Sequence, residues 1–238
     1  MMKLNSKVNL NPNEVGKFDA LAHQWWDPHG PFKPLHQLNP LRTAFITSGQ
    51  SLERQRILDV GCGGGLLTEA LAPHCLQITG IDAAQQAIEV SKSHAAAYGL
   101  NIEYLQKTAE ALASERPNAY DIVCCMELIE HVPSPLQLLE SLSTLVKPGG
   151  LVYISTLNRT LKSYLTAILG AEYILKLLPK GTHDYQTFIR PSELIKLARS
   201  AQLELEALQG IQYHLLKQSF ELSKDVSVNY LTRFRCEK

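Results

Sequence analysis

The sequence predicts a doubly wound α/β fold on a mostly parallel sheet with an antiparallel last strand. Three observations carry this. Short aliphatic runs alternate with amphipathic helical stretches from Arg56 to Ser155. The first run ends in an acid followed by a glycine turn, Asp59-Val60-Gly61-Cys62-Gly63-Gly64-Gly65. The second ends in another acid, Asp82. Right-handed crossovers then place the strand ends at one rim, where ligands bind in such sheets.

The N-terminal section reads as a helical cap over residues 1–50. Asn11-Pro12 opens a helix, and Val15, Phe18, Leu21, Ala22 and Trp25 follow at helical spacing up to Trp26-Asp27-Pro28. The proline-rich stretch His29–His36 reads as a loop, and Asn39-Pro40 as the start of a second helix running to about Ser48. Strands are expected at Ile57–Val60, Leu76–Ile81, Ile102–Gln106, Tyr120–Cys125 and Leu151–Ser155. Helices are expected at Leu66–Ala72, at Ala84–Tyr98 before Gly99, and at Pro135–Val146, stopped by Lys147-Pro148-Gly149-Gly150. A helix at Pro191–Ser200 follows, and Leu203–Leu208 with Val226–Phe234 read as an antiparallel pair closing the sheet. Residues 156–190 form an insertion, and 1–238 are expected to make a single domain.

Composition narrows the class. Lys plus Arg and Asp plus Glu are equal at 23 each, so no global field favours nucleic acid and none is expected as partner. The five cysteines, Cys62, Cys75, Cys124, Cys125 and Cys236, form no C-x-x-C motif, which suits a reducing compartment. Met1–Asn5 carries no apolar signal core, and no apolar run approaches the roughly 18 uncharged residues of a spanning helix. A cytoplasmic location is expected.

The glycine turn is built for a nucleotide-like cofactor, since glycine lets backbone approach a ligand and the helix N-terminus presents unpaired N–H groups. A dinucleotide fingerprint needs a third glycine where Leu66 stands. The pattern Asp59-x-Gly61-x-Gly63-x-Gly65 instead resembles motif I of the class I S-adenosylmethionine (SAM) methyltransferases, which implies their Rossmann-like sheet and SAM. Asp82 suits both ribose hydroxyls, as its counterpart does in NAD sites. No packing role for Gly63 and Gly64 is evident in the sequence. Thr108-Ala109-Glu110 stands to meet the adenine edge, and Met126 either packs on its face or fills the core.

Several further blocks lie in one order: Trp25-Trp26-Asp27, Phe32-Lys33-Pro34-Leu35-His36, Asn39-Pro40-Leu41-Arg42, Met126-Glu127 to Glu130-His131-Val132, Ser155-Thr156-Leu157-Asn158-Arg159, Gly170–Leu175 and Pro179-Lys180-Gly181-Thr182-His183-Asp184. With the glycine turn they resemble the ubiquinone biosynthesis O-methyltransferase family over about Asn13–Tyr230. The resemblance implies methylation of polyprenylated catechols, 2-polyprenyl-6-hydroxyphenol and 3-demethylubiquinol, at phenolic hydroxyls. It implies SAM contacts at Arg42, Gly61, Asp82 and Met126, to which the glycine turn adds Gly63. A guanidinium at Arg42 matches the methionine carboxylate of SAM by a charge-assisted fork. The alternatives are a class I methyltransferase for another small phenol or acid, and a non-catalytic SAM-binding subunit of a ubiquinone-synthesis complex. Asp82 and the Glu127–His131 cluster argue against the latter.

A neutral catechol is a poor nucleophile, so the site must favour the phenolate. One route is a histidine base, His131 or His183. The other is a divalent cation, Mg or Zn, acting as a Lewis acid. If 127–131 is helical, Glu127, Glu130 and His131 share a face at i, i+3 and i+4, with His183 as a fourth ligand. That set resembles the metal site of small-RNA 2′-O-methyltransferases at those few residues. The plain alternative has Glu130 and His131 hydrogen-bonding a loop. The segment 159–180 is apolar and carries Arg159, Lys162, Lys176 and Lys180 against one Glu172. It reads either as a lid over the site or as a peripheral contact with an anionic membrane surface.

Overall fold

A computed structural model of the chain describes residues 9–164, 185–214 and 217–238. Its strands are β1 (Arg56–Val60), β2 (Gln77–Asp82), β3 (Glu103–Gln106), β4 (Tyr120–Met126), β5 (Val146–Leu157), β6 (Leu203–His214), β7 (Ser219–Ser223) and β8 (Asn229–Cys236). They form one sheet in the order β3-β2-β1-β4-β5-β8-β6-β7. The first five pair in parallel; β8 pairs antiparallel with β5 and with β6, and β6 with β7. The expected closing pair is therefore three strands, because the run after Leu208 continues to His214 and turns back through Ser219–Ser223.

Helices α1 (Pro12–Leu21), α2 (Lys33–Thr47), α3 (Leu66–Leu71), α4 (Gln85–Ala97), α5 (Ala109–Glu115), α6 (Pro135–Leu145), the single turn α7 (Leu161–Ser163) and α8 (Pro191–Ser200) cover the two faces. Alternation along β1 divides the core. Leu58 and Val60 join the cluster holding Leu112, Leu139, Leu142 and Leu194, while Ile57 joins Phe45, Ile46, Leu67 and Leu71 on the opposite face. A strand buried on both sides reads as a continuous aliphatic run, as 57–60 does.

Two expectations about boundaries are corrected. The proline-rich stretch is no loop beyond Phe32: α2 starts at Lys33, since proline in a first helical turn loses no hydrogen bond that the helix would make. The helix runs through Pro40 because Leu38, Arg42, Phe45 and Ile46 bury one continuous face. Asn39, expected at the helix start, lies within it and donates its side-chain amide to the Leu66 carbonyl at 2.8 Å. Likewise β5 begins at Val146, not after Gly150. Tyr120 pairs with Val146 and Ile122 with Leu151, so the intervening residues bulge out around Gly149 at φ +73°.

In the insertion, β5 extends to Leu157 and a turn at Tyr185–Thr187 leads back towards α8. The Gly170–Leu175 and Pro179–Asp184 blocks, His183 among them, lie outside the described residues, as does most of 159–180. Among the described residues no helix is long and apolar enough to cross a membrane. Arg159 is bridged to Glu193 and Lys162 to Asp225, so two of the cations expected to face lipid have acidic partners within the chain.

Gly65 sits at φ +93° where α3 begins, and a Cβ there would overlap the Tyr104 hydroxyl. Gly65→Ala should lower the unfolding free energy by about 2 kcal/mol, measured by urea denaturation with an unchanged m-value.

Candidate active site

The carboxyl ends of β1, β2 and β4 open into one cavity of about 880 Å³. Every expected cofactor residue lines it: Arg42, Gly61, Gly63, Asp82 and Met126. So do Glu127, His131 and the Lys107–Glu110 stretch after β3. Gly61 and Gly63 hold φ +73° and +54°, a backbone region that side chains disfavour. The turn is pinned by Ile81, whose carbonyl accepts the Gly61 and Cys62 N–H groups at 2.8 and 3.0 Å.

Asp82 secures that turn as well as facing the cavity. Its carboxylate accepts the Gly63 N–H at 2.9 Å and the Ala84 N–H at 2.8 Å. Burial raises its pKa, and these backbone bonds oppose the rise. Each oxygen keeps a second lone pair for another donor.

Gly63 and Gly64 do have a packing role, contrary to expectation. The Trp25 ring lies against them, and a Cβ at either would overlap it. Trp26 donates its indole N–H to the Gly64 carbonyl at 3.0 Å and stacks on His94, centroids 3.5 Å apart and planes within 2°. His94 Nδ1 in turn meets the Glu69 carboxylate at 2.8 Å. The N-terminal cap thus rests on the glycine turn through both tryptophans. The signal was the Trp25-Trp26 pair, whose docking partner no local pattern reveals.

Arg42 reaches from α2 to the end of β4, where Nη2 bonds Glu127 Oε1 at 3.1 Å. Its side chain is buried, and its Nε–H has no hydrogen-bond partner among the described residues. Ser155 at 2.7 Å and Asn229 at 3.4 Å donate to the same Glu127 oxygen. Burial pushes the Glu127 carboxyl up, yet the Arg42 charge and these donors hold it lowered. Its neighbour Glu130 takes the opposite course: burial and then the Glu127 charge drive it well above the ordinary carboxylate range. Thr156 donates to Glu130 Oε2 at 2.9 Å, and the Glu130 carboxyl also meets that of Glu127.

The expected helical face of Glu127, Glu130 and His131 does not form. Glu127 holds φ +53° and a 3-10 turn spans Ile129–His131, so the i, i+3, i+4 spacing is lost. Glu127 turns to Arg42, Glu130 to Thr156, and His131 to α1, where its Nδ1 lies 2.9 Å from Glu14 Oε2. Among the described residues no three of His, Cys, Asp and Glu are gathered to hold a metal ion. The Phe18 ring meets His131 edge-on at 5.7 Å. Burial pushes Glu14 up, but the bond from Lys17 and the charge of His131 outweigh it and hold the carboxyl lowered. Glu14, more than 100 positions from His131, was missed by sequence reasoning.

The comparisons with known proteins bear on this site. A family model described as a methyltransferase domain matches residues 35–208. The ubiquinone biosynthesis O-methyltransferase of Burkholderia pseudomallei is 52% identical over 96% of this chain and 98% of its own. That of Burkholderia thailandensis shows the same identity and coverage. The chain belongs to the ubiquinone biosynthesis O-methyltransferases. In fold it matches a SAM-dependent methyltransferase from Thermotoga maritima at a TM-score of 0.64, with 17% identity over 95% of this chain and 99% of that one. A methyltransferase bound to its Trm112 activator from Haloferax volcanii gives 0.66, at 17% identity over 93% and 98%. It is a SAM-dependent methyltransferase of the class I fold.

The site's observations fit SAM independently of these relatives. The turn is shaped by glycines at positive φ, and Arg42, which lines the cavity, keeps a buried guanidinium Nε–H with no acceptor among the described residues.

Asp59 shows the electrostatic cost of this rim. Burial lifts its pKa from 3.8 to about 6, against the Thr68 hydroxyl bond at 2.6 Å and the Arg42 charge. A folded-state pKa above the unfolded one means that folding binds a proton. The penalty is absent below pH 3.8 and complete above about 6. The unfolding free energy of Asp59→Asn relative to wild type should therefore rise by about 2 kcal/mol between pH 4 and pH 7, followed by denaturant titration at each pH.

Proposed function

We propose that the chain transfers a methyl group from SAM to a phenolic hydroxyl of a polyprenylated catechol, with His131 as general base and Glu14 holding it. The observation that carries this reading is the Glu14–His131 contact in the wall of the cavity that also holds the glycine turn. SAM supplies an electrophilic methyl on a sulfonium. Arg42 is suited to the methionine carboxylate, Asp82 to the ribose hydroxyls and Met126 to the adenine face. Gly61 and Gly63 give the cofactor backbone contact.

His131 takes the phenolic proton through Nε2 as the oxygen attacks the methyl carbon and the carbon–sulfur bond breaks. Glu14 fixes the tautomer by accepting from Nδ1 and steadies the imidazolium that results. The proton leaves with His131, and the products are a phenyl methyl ether and S-adenosylhomocysteine. Phe18 packs edge-on against the His131 ring. The carboxylates of this rim are engaged within the chain: Glu14 with His131, Glu127 with Arg42 and Glu130 with Thr156.

A long polyprenyl tail keeps such substrates in a bilayer. Leu161, 71% exposed at the start of the 159–180 segment, supports peripheral membrane contact there. A cytoplasmic enzyme that visits the membrane, alone or within a ubiquinone-synthesis complex, is the reading we favour.

His131→Ala should lower kcat by about 10²- to 10⁴-fold, with the calorimetric Kd for SAM within about twofold of wild type. Glu14→Gln should lower kcat less and shift the pH profile. Full turnover by His131→Ala overturns the base assignment. For the cofactor site, Asp82→Ala should weaken SAM binding at least about tenfold with a native circular dichroism spectrum; unchanged affinity refutes its role.

A further inference from the structure

Beyond the methyl-transfer centre the cavity continues away from the glycine turn. Its lining is polar over β2 and β3, with Asp82, Lys107, Thr108 and Glu110. Past Glu127 and Asn229 it becomes an apolar arm between α2 and the β6–β7 hairpin, walled by Leu35, Leu38, Ile211, Tyr213 and Phe220. The whole cavity, about 880 Å³, lies near the top of the roughly 300–1,000 Å³ range of ligand pockets. That is room for a second molecule beside a nucleoside cofactor.

Three features make the arm a built site. Tyr213 and Phe220 oppose each other in register across the hairpin, their rings 4.8 Å apart. Gln37 on α2 donates to the Gln218 carbonyl at 3.2 Å, tying α2 to the hairpin. At the arm's inner end Asn229, 8% exposed, spends an amide N–H on Glu127, while its Oδ1 is buried with no partner among the described residues. An orphaned acceptor in such a place calls for a donor from a ligand.

We infer that this arm is the acceptor subsite: Asn229 Oδ1 accepts the hydroxyl that is not methylated, and the isoprenoid tail runs between Leu35, Leu38, Tyr213 and Phe220. The inference rests on the polyprenylated catechol proposed above. It gives the hairpin, which β7 adds at the sheet's edge, a part in tail selection. Leu35, Leu38, Ile211, Tyr213 and Phe220 offer a hydrocarbon chain apolar surface to bury, with Gln212 beside them. Asn229 and His131 line the same cavity, so the catechol ring is placed between them.

Steady-state kinetics on the full chain with two acceptors test this: a catechol bearing a farnesyl tail and the same catechol without one. Tyr213→Ser/Phe220→Ser should raise KM for the farnesylated acceptor about tenfold more than for the tail-less one. Asn229→Ala should lower kcat/KM for both acceptors by the same factor. Leu208→Ser, exposed on β6 and outside the cavity, serves as control and should change neither. If the double variant does not fold, Tyr213→Trp, which narrows the arm, is read instead and should penalise the farnesylated acceptor selectively. Equal loss on both acceptors, or no loss on either, in the wall variants overturns the inference. Wild-type chain that methylates neither catechol overturns the proposed function itself, a distinct outcome.

Discussion

The buried pair of Arg42 and Glu127 is the interaction on which the site depends. It joins α2 of the N-terminal cap to the end of β4, 85 positions later, at 3.1 Å. Two charges out of water are stable only when their other hydrogen-bonding capacity is met. Glu127 meets that condition with Ser155 and Asn229, which recruits β5 and β8. Arg42, which lines the cavity, keeps one buried N–H unmatched among the described residues. Because Glu127 keeps its charge beside Arg42, Glu130 a turn away gives up its own, as two close buried carboxyls titrate as a pair. One ion pair thus sets the charge state of the rim and fixes the cap to the sheet.

The parallel half of the fold was legible because its signals are local. Aliphatic runs of four to six residues, acids at Asp59 and Asp82, and glycine at positive φ report their own structure. Helix α2 was misread because proline punctuates a chain only where a backbone N–H is required, and the first turn requires none. The strand at Ser219–Ser223 was missed since half of its face is exposed and its residues carry little hydrophobic signal. The bulge at Lys147–Gly150 looked like a helix stop followed by a gap; the tertiary pairing with Tyr120 decides otherwise.

The site was half legible for the same reason. Asp82 and the glycines belong to a contiguous motif, and Arg42 came only through family resemblance. Glu14, Asn229 and the Tyr213–Phe220 pair had no sequence signature, because each acts through a partner that folding brings from far along the chain. The metal expectation assumed a helix from spacing alone. Glu127 at φ +53° shows that the residue after β4 turns sharply instead, which sends the three side chains to α2, β5 and α1. Residues 183 and its neighbours lie outside what the structure describes.

The chain has two tryptophans, and both sit on the glycine turn. Trp25 lies on Gly63 and Gly64, and Trp26 is stacked face to face on an imidazole. Indole emission responds to the polarity and contacts of its surroundings, and here no other indole competes. The ultraviolet fluorescence of this protein is therefore an internal gauge of one place, the seam between cap and turn. Filling the cavity, or lifting the cap, would change its colour and intensity without any label being added.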